Sequence, residues 1–116
     1  MRTILTILAV LGLGACARVE AGTPAAQREA VTRACLDGKL AVFGLKLDRV
    51  GCACASNLLQ AQLSPAAMTA LEDHARGRSD GFDAARAGLS GEEKLMLDPG
   101  RPAGAPDLRK AAADCL

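Results

Sequence analysis

Two cysteines separated by a single residue limit the fold of this chain more than any other feature. Cys52 and Cys54 stand in Gly51-Cys52-Ala53-Cys54-Ala55, at the head of an Ala- and Leu-rich stretch with a helical pattern, with Cys35 before them and Cys115 near the far end. Successive helical residues turn by about 100°, so positions two apart point to nearly opposite sides and their Cβ vectors diverge. Such a pair does not close on itself, and each sulfur has to find its own partner. Four cysteines allow three connectivities, and this argument favours one bond from Cys35 to the pair and one from the pair to Cys115, in either order. Cys35, Cys52, Cys54 and Cys115 are therefore expected to form two disulfides, the framework of a small exported domain.

The chain has reason to need that framework. Its 116 residues are enough for one small domain, and Phe43 and Phe82 are its only aromatic residues apart from His74, with no Trp or Tyr to supply bulk. A core of Ala and Leu in a chain this short leaves a thin margin of stability, which disulfides commonly supplement. Fourteen Lys and Arg stand against thirteen Asp and Glu, a near-neutral balance. A nucleic-acid binder would need a basic surplus to displace counterions, and aromatic side chains for stacking if the strand were single; neither is present. The 50% hydrophobic content with little net charge also argues against disorder over most of the chain.

The first residues carry an address. Met1-Arg2-Thr3 supplies one positive charge, Ile4 to Ala15 is an uncharged apolar run, and small residues lead into Cys16. This is the pattern of a secretory signal, and the run is shorter than the ~20 apolar residues a membrane-spanning helix requires. Leu13-Gly14-Ala15-Cys16 resembles the lipobox of bacterial lipoprotein precursors, a family in which the Cys is diacylated and becomes the new first residue. The resemblance covers residues 1–16 only and implies an anchor, not an activity. It implies a signal peptide over 1–15, lipid on Cys16, a tether over 16–22 and a single domain over 23–116. Because Ala17 rather than Asp follows the Cys, it further implies the outer membrane, with the domain facing the periplasm. A competing reading takes Ala15-Cys16-Ala17 as an ordinary cleavage site and yields a soluble secreted protein beginning at Arg18.

Beyond the tether the chain reads as all-α, a small bundle of four to five short helices. Thr23-Pro24 sets a cap followed by a proline at the first helical position, and helix one runs to about Leu36, where Asp37-Gly38 breaks it. Leu40 to Val50 reads as an apolar connection or the ragged start of helix two, anchored by Phe43. Helix two spans about Val50 to Gln62, with Cys52, Ala55, Leu59 and Leu63 on one side and Cys54, Leu58 and Ala61 on the other, which predicts a central helix. Ser64-Pro65 repeats the cap-then-proline signal for a helix to Arg76, stopped by Gly77. A short helix from Asp80 to Ala87 follows. Ser90 and Glu93, three apart before Leu95-Met96-Leu97, read as a capping box. Residues 98–106 hold three prolines and two glycines and read as a loop, after which a last helix runs from about Pro106 to Cys115.

Candidate chemistry is sparse. Glu72, Asp73 and His74 are adjacent, but consecutive helical residues fan out, and His74 in a last turn reads as a surface cation favoured by the helix dipole. Glu92 and Glu93 are accounted for as first-turn acids of the capping box. The stretch from Asp80 through Glu93 fails the calcium-loop template, since Ala85, Ala87 and Lys94 fall on ligand positions when Gly88 takes the sixth. No phosphate-cradling Gly-rich motif, Gly-x-Ser-x-Gly elbow or His-Glu-x-x-His occurs. The expectation is thus a non-enzymatic envelope or protein-interaction role, with a membrane contacted through Cys16, an envelope protein as partner, no cofactor and no nucleic acid. A second class is a thiol site at Cys52 and Cys54 that exchanges disulfides or holds copper, with Met68, Met96 or His74 completing it; Cys-x-Cys lacks the Cys-x-x-Cys spacing usual for such sites. A third is a small hydrolase assembling His74 with Ser56 or Ser90.

Overall fold

The computed structural model describes residues 23–116; the expected signal peptide over 1–15, Cys16 and the expected tether over 16–22 lie outside the described residues. Within them the chain forms six α-helices and no strand: α1 Pro24–Leu36, α2 Arg49–Gln62, α3 Pro65–Ala75, α4 Ser79–Ala87, α5 Gly91–Met96 and α6 Leu108–Ala111. Two short 3₁₀ turns, Ala41–Phe43 and Ala113–Cys115, complete it. The first four helices carry the bundle, in agreement with an all-α, disulfide-stapled domain.

The helix ends explain the element order. Thr23 Oγ1 accepts from the Ala26 amide at 3.2 Å and Ser64 Oγ accepts from the Ala67 amide at 3.2 Å, each just before a proline. Asp48 caps α2 through the Gly51 amide at 2.8 Å. At the other ends, Gly38 (φ 80°) and Gly77 (φ 75°) take the left-handed conformation. The amides of Lys39 and Arg78 then reach back to the carbonyls of Ala34 and Asp73, closing a Schellman motif after α1 and after α3. The second of these folds α4 straight back onto α3, so the two form the most extensive helix pair. α1 lies against both α2 and α3, and α6 touches α2.

The connection from Leu40 to Leu47 brings the bulk that the helices lack. Leu40, Phe43 and Leu45 are all fully buried, joining Val31, Leu59, Met68, Leu71, Leu97 and Leu108 in one core. Each such side chain stabilises by about 1.5–3 kcal/mol through burial, so this short irregular stretch contributes as much as a helix face. Phe43 packs edge-on against the His74 ring at 4.7 Å between centroids and tilts against Phe82 at 5.9 Å.

Three expectations are corrected here. The second apolar side of α2 is not buried: Cys54 and Ala61 are exposed and Leu58 half-exposed, because α1 packs on the opposite side, where Cys52 and Ser56 are tied to its Cys35 and Thr32. The terminal helix is a single α-turn from Leu108 followed by a 3₁₀ turn, since Pro106 leaves the start to Asp107, whose carboxylate caps it through the Arg109 amide at 3.0 Å. The capping box is absent as well. Ser90 precedes α5, but its side chain caps nothing, and Glu93 is occupied elsewhere.

Candidate functional site

The cysteines pair as Cys35–Cys52 and Cys54–Cys115, with Cα atoms 5.7 Å apart in each. Both bonds leave α2, two residues apart and to opposite sides, as helical geometry requires. Cys35 and Cys52 are sealed in the core at 3% and 0% exposure, whereas Cys54 is exposed and Cys115 half-buried. Cys52 and Cys54 are thus not a dithiol pair; each is held in its own bond. Two disulfides in so small a domain indicate an oxidising, extracytoplasmic environment. Among the described residues no helix is long and apolar enough to cross a membrane.

Residues considered for a metal or for acid–base work are dispersed. Met68 and Met96 are core side chains, and among the described residues no group of three or more His, Cys, Asp or Glu is placed to hold a metal ion. His74 stands in the last turn of α3, as expected, but its ring is not free at the surface. Its ring is half-buried between Phe43 and Phe82, and its Nε2 lies 2.9 Å from the Lys39 carbonyl, which joins α3 to the turn after α1. Ser56 is buried and shares a 2.6 Å hydrogen bond with Thr32 Oγ1, bridging α2 to α1, while donating to the Ala53 carbonyl. Ser90 sits exposed before α5. Neither serine has His74 as a hydrogen-bond partner.

The carboxylates serve the framework. Glu72, 5% exposed at its side chain, binds Arg76 at 2.8 Å, and Asp73 binds Arg78 at 2.7 Å. Glu92 pairs with Lys110 at 2.5 Å across the surface. Glu93 reaches back to the start of α3, accepting from the Ser64 amide at 2.8 Å and from Ser64 Oγ at 2.7 Å. It therefore supplies to α3 what a local Glu three residues beyond the cap would supply in a capping box.

A charged cluster that sequence reasoning missed fixes the loop of residues 98–106. Asp107, 6% exposed, accepts from Arg109 Nε at 3.1–3.2 Å and from Arg101 Nη2 at 3.3 Å. Arg101 also donates to the Val42 carbonyl at 2.8 Å, so the loop is clasped onto the turn that carries Phe43. Burial disfavours the Asp107 charge, but the hydrogen bonds from the Arg109 side chain and amide, with the positive charges of Arg109 and Arg101, outweigh it and hold the carboxyl below the usual aspartate value. Gly44 leaves room for this carboxylate: at φ 86°, a Cβ there would stand 2.3 Å from Asp107 Oδ2. The signal available beforehand was an Asp directly before Leu108, in the position of a helix cap.

An open groove of about 550 Å³ lies between α1 and the end of α3. Ala26, Ala30 and Ala34, spaced four apart on α1, form its floor with Ala75 of α3. Arg33, Lys39, Arg76 and Arg78 stand around it, with Glu29 and Asp37 on the α1 side. Most of these charges are matched, by Arg33 with Glu29 at 3.7 Å and by the Arg76 and Arg78 pairs described above. The groove is therefore a small-residue channel with a rim of mixed sign, and Arg76 fixes its width by donating to the Ala26 carbonyl at 3.4 Å.

Fold and site together define a small all-α domain held by two disulfides. Comparison with protein-family models, with curated proteins and with solved structures finds no match.

Proposed function

We propose that this chain is an exported, non-enzymatic binding module, held at the outer membrane by lipid on Cys16 and facing the periplasm, which takes a polypeptide segment of an envelope protein into the groove between α1 and α3. The observation that carries the reading is the groove itself, an alanine-floored channel on a framework that two disulfides make rigid. Small side chains in the floor let a partner backbone approach closely, and a rim of both signs suits a peptide of mixed charge better than a polyanion. The lipid supplies the location, since acyl chains bind membranes through burial at about 0.8 kcal/mol per CH₂, and the tether supplies reach.

Two measurements test it. Cys16→Ser is expected to move the protein from the membrane to the soluble fraction; a wild-type chain already in the soluble fraction makes it the secreted form without lipid. A photo-cross-linking residue at Glu29, beside the groove, is expected to capture one defined envelope protein, whereas the same residue at Asn57 on the exposed side of α2 captures none. Ala30→Trp, which fills the floor, should abolish that adduct. Equal capture from both positions, or capture indifferent to Ala30→Trp, refutes a groove-mediated contact.

A further inference from the structure

We infer that the Cys54–Cys115 disulfide is a thiol-exchange site, open to a protein dithiol at the surface of α2, while Cys35–Cys52 stays oxidised within the core. The two bonds share a helix and have the same Cα separation, yet their surroundings are opposite. Cys35 and Cys52 are 3% and 0% exposed, so a nucleophile reaches them only after α1 separates from α2. Cys54 lies on the exposed side of α2, and Cys115 is half-buried in a 3₁₀ turn that has no buried residue. Thiol–disulfide exchange depends on access to the sulfur that is attacked, and access is what separates these bonds.

The segment that the bond secures is built for limited release. Residues 107–112 hold to the body without it: Leu108 and Ala112 are fully buried, Asp107 is clasped by Arg101, and Lys110 pairs with Glu92. Beyond them, the amides of Cys115 and Leu116 bond only to the carbonyls of Ala112 and Ala113, and Leu116 is exposed. Opening the bond therefore loosens residues 113–116, which keep their backbone turns and the packing of Cys115 against the core, and leaves the core closed.

In the exchange, a thiolate of the incoming dithiol attacks one sulfur of the pair, forming a mixed disulfide as the Cys54–Cys115 bond breaks. The second thiol of the dithiol then displaces that sulfur. Two electrons and two protons pass to the protein, which holds Cys54 and Cys115 as thiols, and the dithiol leaves oxidised. The product presents a thiol on the exposed side of α2 and a second one in the loosened 3₁₀ turn of residues 113–115.

The test uses the oxidised full chain, treated with dithiothreitol under native conditions, quenched with an alkylating agent at intervals and mapped by peptide mass, with far-UV circular dichroism recorded in parallel. Cys54 and Cys115 are expected to label together, at least about tenfold faster than Cys35 and Cys52, while the helical signal holds. A thioredoxin-type dithiol protein is expected to accelerate that first phase. Equal labelling of all four cysteines, earlier labelling of Cys35 and Cys52, or loss of helix in step with the first label overturns the inference. A second variant guards against general instability. In Cys54→Ser/Cys115→Ser the remaining bond should resist dithiothreitol for as long as the helical signal is native; its prompt reduction in a folded chain would refute the claim that burial protects it.

Discussion

Replacing Glu93 probes how α3 is started, because the carboxylate comes from another helix. It accepts two hydrogen bonds from Ser64, one from the amide at 2.8 Å and one from the hydroxyl at 2.7 Å, and that hydroxyl itself caps the Ala67 amide. Hydrogen bonds to a charged group are worth about 1.5–3 kcal/mol each, toward the low end where water competes, as at this half-buried position. Glu93→Ala also leaves the Ser64 amide without its acceptor but within reach of solvent, so a net loss of about 2 kcal/mol is expected. For a domain of this size that lowers Tm by about 8–16 °C. Glu93→Gln keeps a carbonyl acceptor and should cost about 1 kcal/mol. The assay is urea denaturation of a double-mutant cycle with Ser64→Ala, and a coupling of about 1–2 kcal/mol is expected. Ser90→Ala, the partner that a local capping box would require, should be neutral within about 0.5 kcal/mol. A cycle that is additive for Ser64 and Glu93 but coupled for Ser90 and Glu93 would refute the reasoning.

Other changes read other parts of the fold. Gly44→Ala places a methyl group against Asp107 at a left-handed backbone and should cost at least about 2 kcal/mol, whereas Gly38→Ala, with a similar φ and open space around it, should cost about 1; thermal denaturation of both separates clash from backbone strain. The Asp107 carboxyl is held below its unfolded value, so its contribution is complete above pH ~4–5 and is lost as pH falls through the folded value; Asp107→Asn should be less stable at neutral pH and flatter in stability between pH ~5 and ~2, and parallel acid limbs in the two proteins would contradict this. Cys115→Ser opens a loop spanning 61 residues of separation and should cost up to about 4 kcal/mol in the chain-entropy model, with a lower Tm and looser residues 113–116; unchanged stability with an intact Cys35–Cys52 bond would show that Cys115 is no staple.

What the sequence disclosed was the information carried locally. Thr23-Pro24 and Ser64-Pro65 start helices where the cap chemistry says, Asp37-Gly38 and Gly77 end them, and two cysteines at i and i+2 on a helix went to separate partners for a reason of angle alone. What escaped was tertiary. Glu93 fits a local capping box with Ser90 equally well as text, and only the approach of α5 to the start of α3 diverts it to Ser64. His74 stands in a last turn, as a dipole cation would, but Phe43 comes from a connecting turn and Phe82 from α4, so their convergence on its ring has no local trace. The side of α2 bearing Cys54 and Leu58 carries the Cys54–Cys115 bond and is only partly covered, and apolarity by itself did not separate that from burial. The groove is likewise assembled from alanines on α1 and charges beyond α3, which no single window contains.

The two-bond framework and the proposed lipid anchor are reached by one measurement. The protein purified from its native membrane fraction would be alkylated without reduction, its intact mass taken, and its peptides mapped. The expected result is a chain beginning at a diacylated Cys16, no alkylated thiol, and the peptide pairs Cys35 with Cys52 and Cys54 with Cys115. A chain beginning at Arg18, or one with Cys52 and Cys54 both free, would contradict it.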